Sequence, residues 1–187
     1  MESEQLKSSG AFPDRVQLSL DPGSNQMGVA IFDTEGKFLR STTLRGSAKA
    51  VAARRLNAIG VQFEAFMQEF FSETIIVNTV MELLPPSQIT PSLPISPGAI
   101  VSRWNNCSRL LPKSAIPVNV WKSVAKQLGC TMSDPKGVKI FKQIPWSYPQ
   151  PKTHDEADAI MIFLAHSWEV KGLVWLAPDL RVRRMKR

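Results

Sequence analysis

The sequence predicts an α/β protein whose mixed sheet joins a three-strand antiparallel meander to parallel strands and is flanked by helices. Three observations carry this. Three apolar runs, at residues 16–20, 28–32 and 37–44, are separated by turn residues and read as a meander. A helical pattern then precedes a β-branched run at 74–81, as in a crossover to a parallel strand. A last long helical pattern begins at His154.

In the first strand Val16, Leu18 and Leu20 alternate with Gln17 and Ser19, and Asp21-Pro22-Gly23-Ser24 breaks the run, which places Asp21 at a strand end. Asp33-Thr34-Glu35-Gly36 turns the second strand into the third. Ala52, Leu56, Ile59, Phe63, Phe66, Met67 and Phe70 recur at steps of three and four behind Ser47 as a cap, the pattern of an amphipathic helix with a core-facing aromatic stripe. The run at 74–81 closes on Glu82, after which Leu83-Leu84-Pro85-Pro86 cannot continue a central strand. Residues 85–97 read as a loop, and Pro97 opens a helix with Trp104, Cys107 and Leu111 on one face and Arg103 and Arg109 outside it. A short strand is expected at 116–120, running at Trp121-Lys122 into a helix ended by Gly129. Ser133 and Pro135 start another, which carries Lys136, Lys139 and Lys142. The final helix, to about Trp168, turns Ala157, Ile160, Met161, Leu164 and Ala165 inward.

With 187 residues, 43% hydrophobic and 21% charged, the chain suits a single domain over 1–187 with flexible tails at 1–14 and 181–187. Cys107 and Cys130 cannot frame a disulfide scaffold, and two histidines do not spell a four-ligand zinc site, so free buried thiols in a reducing compartment are expected. No apolar run approaches the roughly 20 residues of a bilayer span, and the N-terminal segment has no signal core; the expectation is a soluble, cytoplasmic protein without membrane contact, an organellar or viral source remaining open. The net charge of +7 points to a polyanionic partner. The excess is local: residues 1–82 carry 8 basic and 10 acidic groups, residues 83–154 carry 9 and 1, and residues 155–187 carry 6 and 5. A second basic cluster, Arg181 to Arg187, reads equally as a solvated tail.

The acids then become informative. Asp21 and Glu82 end two strands expected to be adjacent and parallel, the first of them in the middle of the meander, and Asp155 and Asp158 lie on one face of the last helix. Taken singly each has a bland role, as turn nucleator, surface cap or favourable charge at a helix N-terminus. Together they form a hard-oxygen set suited to Mg²⁺ or Mn²⁺, and two such ions can activate water and stabilise the leaving oxygen of a phosphodiester.

At these residues the sequence resembles the RuvC-type Holliday junction resolvases of the ribonuclease H-like superfamily, as a divergent or phage-like member. The resemblance rests on Leu18-Ser19-Leu20-Asp21-Pro22-Gly23 with Gly28-Val29-Ala30, on Met81-Glu82, and on His154-Asp155-Glu156-Ala157-Asp158-Ala159. It implies a ribonuclease H-like fold, with Asp21, Glu82, Asp155 and Asp158 as catalytic carboxylates that bind two Mg²⁺ or Mn²⁺ ions. It also implies lysines near the scissile phosphate, for which Lys122 and Lys136 stand at similar places. Where that family presents an aromatic or polar wedge after its Glu, this chain has Leu83-Leu84-Pro85-Pro86. His154, beside the Asp pair, reads as a polar helix-start residue.

The resulting expectation is a structure-selective endonuclease of DNA recombination and repair that nicks four-way or other branched DNA, gripping phosphates with Lys122, Lys136, Arg103, Arg109 and Lys139. Two symmetric cuts imply a homodimer, with the apolar face around Trp104 a candidate contact. The alternatives are a ribonuclease H-like or flap or fork nuclease with little junction preference, and an inactive branched-DNA-binding protein. A sugar-kinase or actin-like ATPase would also explain Asp21-Pro22-Gly23-Ser24, but it needs two lobes and a second such loop, so no nucleotide cofactor is expected.

Overall fold

The computed structural model describes residues 13–23, 25–83, 115–127 and 151–170. Strands β1 (Arg15–Pro22), β2 (Gln26–Asp33) and β3 (Phe38–Arg45) are followed by helix α1 (Ala52–Phe71) and strand β4 (Ile75–Leu83). Strand β5 (Ala115–Pro117), helix α2 (Val118–Gln127) and helix α3 (His154–Val170) complete the order. The sheet runs β3-β2-β1-β4-β5; β1 pairs antiparallel with β2, β2 antiparallel with β3, β1 parallel with β4, and β4 parallel with β5. The mixed α/β architecture expected from the sequence is therefore the one observed. The middle strand of the meander is β2; β1 is instead the centre of the whole sheet.

Period-two alternation sends each strand's side chains to two separate cores. Val16, Leu18 and Leu20 of β1, Met27, Val29 and Ile31 of β2 and Ile76 of β4 pack with Ile59, Phe63, Phe66, Met67 and Phe71 of α1. On the other face Ala30, Phe32 and Val80 pack with Ile116, Trp121, Val124 and the length of α3 from Ala157 to Ala165. Phe32 and Phe163 stack at 3.7 Å between ring centroids and 11° between planes, worth about 0.5–1.5 kcal/mol beyond simple burial.

Helix α3 departs from the one-sided pattern read from the sequence, since Ile162 and Phe163 are as buried as Ile160 and Leu164. The sheet covers one side of the helix and α2 another, so nearly its whole circumference is apolar. Ser47 is not the cap of α1. It sits in a turn in which Ala50 N–H donates to the Ser47 carbonyl, and Val51 occupies the N-cap position with no side-chain cap; its carbonyl accepts from Arg54 and Arg55. Ala52, placed on the core stripe by its spacing, is exposed at the first helical position. Strand β5 stops at Pro117 and the helix takes over at Val118, so Asn119 and Val120 are helical rather than extended.

Among the described residues no helix is long and apolar enough to cross a membrane. Both cysteines, residues 1–12 and 181–187 of the expected tails, and the expected helices beginning at Pro97 and near Ser133 lie outside the described residues; Pro13 and Asp14, at the end of the expected N-terminal tail, accept from the Thr74 hydroxyl at 3.1 Å and the Ile75 N–H at 2.8 Å.

Candidate active site

Four acids meet where β1, β4 and α3 converge, and local geometry explains each position. Asp21 follows Leu20 by one residue and therefore points, with Ser19, to the α3 face of the sheet. Its level on the neighbouring strand depends on an irregularity: Val16 pairs with Ile76 but Gln17 pairs with Asn78, so Val77 is an extra residue in β4. From there Leu20 stands level with Met81, and the next residues, Asp21 and Glu82, share the α3 face side by side. Without that extra residue Asp21 would stand level with Met81 and Glu82 would project from the opposite side of the sheet.

Helix α3 brings the other two acids down onto the sheet. Thr153 acts as its N-cap, its Oγ1 accepting from the Glu156 N–H at 3.2 Å. Glu156 is buried, and its Oε2 accepts from Ser41 Oγ at 3.0 Å and from the Lys152 N–H at 3.2 Å, which ties the start of α3 to the edge strand β3. Thr43 and Thr153 hydroxyls hydrogen-bond beside this junction. Further along, the buried Ser19 hydroxyl donates to the Ala159 carbonyl at 2.7 Å. Gly28, paired with Asp21 across the ladder, leaves open the space into which the Asp155 carbonyl fits; a Cβ there would collide with it.

The electrostatics show how closely the acids crowd. Burial, followed by the charges of Asp158, Glu82 and Asp155, pushes the Asp21 carboxyl well above its ordinary value. Burial and the charges of Glu82 and Asp155 push Asp158 up to about 7, opposed by the Lys122 ammonium nearby. Asp158 Oδ1 is buried with no hydrogen-bond partner. Glu82 is 8% exposed and accepts from the Trp121 indole at 2.9 Å, and Asp155 Oδ1 accepts from Gln26 Nε2 at 3.0 Å.

Among the described residues no three His, Cys, Asp or Glu side chains are closed around one point as an ion cage. The donor set nevertheless suits a hard divalent cation: it is all carboxylate, it holds an orphaned buried oxygen, and burial together with mutual repulsion raises two of its members.

Of the expected DNA contacts, Lys122 is described: it is exposed, 5.3 Å from the centroid of the Trp121 ring, and acts on Asp158. Arg103, Arg109, Lys136 and Lys139 lie outside the described residues, as does Trp104. His154 opens α3 and is exposed. Sequence reasoning missed Trp121 and Gln26, whose partners lie on other elements. The Thr153-x-x-Glu156 spacing of a capping box was a legible signal for the start of α3.

A five-strand mixed sheet with helices on both faces and acids at the β1, β4 and α3 ends is a ribonuclease H-like fold. More particularly, the chain has the fold of the RuvC-type Holliday junction resolvases. It superposes on Thermus thermophilus RuvC in complex with a Holliday junction substrate with a TM-score of 0.59, at 16% identity over 83% of this chain and 94% of that one. A second T. thermophilus RuvC structure gives 0.56 at 17% identity, covering 83% and 95% of the two chains. The yeast mitochondrial Holliday junction resolvase gives 0.47 at 9% identity, covering 88% and 86%. No protein-family model and no curated protein sequence matches the chain.

Proposed function

We propose that the chain is a metal-dependent endonuclease that binds and nicks four-way junctions or other branched DNA. The observation that carries this is the convergence of Asp21, Glu82, Asp155 and Asp158 on a RuvC-type sheet, with an unpartnered oxygen buried among them. These four side chains would hold two divalent ions, Mg²⁺ or Mn²⁺. When bound, such ions activate a water and stabilise the oxygen that leaves a phosphodiester.

The protein's own residues then have separate tasks. Asp21, whose carboxyl is raised by burial and by the neighbouring acids, must give up its proton before it can donate oxygen to a cation. Gln26 restrains one oxygen of Asp155, and the β1–β4 register keeps Asp21 and Glu82 on one face. Lys122, exposed next to Asp158, offsets the acids that would otherwise repel a phosphate and serves as a backbone contact. Arg103, Arg109, Lys136 and Lys139 extend that contact in this reading, within a stretch carrying 9 basic groups and 1 acid. Phosphate contacts supply affinity and duplex geometry supplies selectivity, so binding weakens steeply with salt. Two symmetric cuts call for a twofold homodimer, and a monomer at micromolar concentration in light scattering would remove that part of the reading.

The test is the double variant Asp155→Asn, Asp158→Asn. It retains branched-DNA binding and loses Mg²⁺-dependent nicking; retained nicking overturns the assignment. Parallel assays on RNA–DNA hybrid, flap and four-way substrates separate junction resolution from a ribonuclease H-like or flap activity.

A further inference from the structure

Trp121 stands in the first turn of α2, directly after β5, and its indole N–H donates to Glu82 Oε1 at 2.9 Å. At 3% exposure the ring is not a surface aromatic available to stack on a base. It belongs to the cluster formed with Val80, Ile116, Val124, Ala157 and Ile160, so β4, β5, α2 and α3 all hold it in place. A phenylalanine would fill such an apolar site almost as well. What the indole adds is one donor, aimed at one oxygen of one acid.

Glu82 has particular need of it. Its side chain has one more rotatable bond than the three aspartates, it lies one residue before the exposed end of β4, and it faces Asp21 and Asp158. Repulsion favours swinging such a carboxylate outward, and a donor on an immobile ring opposes that motion. Ligand-orienting partners of this kind typically change metal affinity or activity by about 10–100-fold when removed.

We propose that Trp121 is the positioning residue for Glu82, its indole N–H holding the carboxylate in the orientation in which it takes part in cation binding. The inference rests on the reading of Glu82 as a metal-holding group. The same dipeptide then serves the site twice, since Trp121 orients Glu82 while Lys122 faces Asp158.

The test compares the full chain with Trp121→Phe and with Val124→Ala, a truncation in the same cluster that leaves the indole in place. Mn²⁺ binding is followed by electron paramagnetic resonance of the free ion. The expected result is about tenfold weaker binding in Trp121→Phe and affinity within twofold of the parent in Val124→Ala. In ¹⁵N-labelled parent protein, the Trp121 indole resonance, assigned by its loss in Trp121→Phe or in a conservative Trp121→His variant, should shift on Mg²⁺ addition and in Glu82→Gln. Parent-like Mn²⁺ affinity in Trp121→Phe overturns the inference while leaving the metal reading intact. An indole resonance, assigned through whichever Trp121 variant folds, that is indifferent to Mg²⁺ overturns it whatever the variants' affinities. A parent chain that binds no Mn²⁺ overturns the metal reading and the inference together.

Discussion

Gly28 lies directly beneath the main-chain carbonyl of Asp155, in a gap that no side chain could share. Since Gly28 is also the ladder partner of Asp21, one missing Cβ sets the distance between the first acid and the helix that carries the third and fourth. Gly28→Ala must lift the start of α3 or distort β2. Overpacking of this kind costs typically 1–3 kcal/mol, read as a lower urea midpoint with unchanged slope. If nicking is the activity, a displacement near 1 Å lowers it about a hundredfold, checked by single-turnover cleavage.

The crowded acids make stability depend on pH in a direction opposite to that of ordinary salt-bridged carboxylates. Asp21 and Asp158 have folded-state values raised above the unfolded value near 3.8, Asp158 to about 7. Their contribution is therefore fully present below about 4, and the part from Asp158 is lost as pH rises through about 7. Metal-free protein should melt several degrees lower at pH 8.5 than at pH 5.5, and Asp158→Asn should flatten the slope in differential scanning calorimetry.

Divalent cations should reverse that trend. A cation that binds the folded site displaces its protons and stabilises by RT ln(1 + [M]/Kd), about 2.7 kcal/mol at a hundredfold excess over Kd. Adding Mg²⁺ at pH 8 should raise the melting temperature and chelator should restore the low value. The rise should vanish in the Asp155→Asn, Asp158→Asn double variant.

Lys122→Ala removes the cation that opposes the rise at Asp158. The pH midpoint of Asp158 titration, followed by carboxyl NMR, should move up. If Lys122 also contacts a phosphate, the slope of log K against log salt for branched DNA should fall by about 1, with no change in junction preference.

Ser19→Ala deletes the buried hydrogen bond that ties the centre of the sheet to the Ala159 carbonyl. A buried partner left unsatisfied costs about 1–3 kcal/mol. Faster amide exchange should appear in the first two turns of α3 while α1, on the opposite face, keeps its protection.

The residues themselves made much of this legible. Alternation in β1 and the turn after Asp21 placed that acid at a strand end, the β-branched run did the same for Glu82, and a three-residue step put Asp155 and Asp158 on one helix face. All of these are local patterns, set by chain geometry over a few residues. Other features were invisible because they depend on residues far apart. Trp121 marks only the passage from strand to helix until α2 is docked and its N–H meets Glu82, and Ser47 had the chemistry of a cap but stands in a turn before the helix begins.

The chain's local sequence was enough to determine which acids stand at the ends of which elements. Whether they meet was decided by tertiary structure alone, through an extra residue at Val77 that brings Glu82 level with Asp21 and a bare Gly28 that lets α3 descend. The physical reason is that a strand's two faces are one residue apart, so a single-residue change of register between distant segments reverses which face an acid shares with its neighbour.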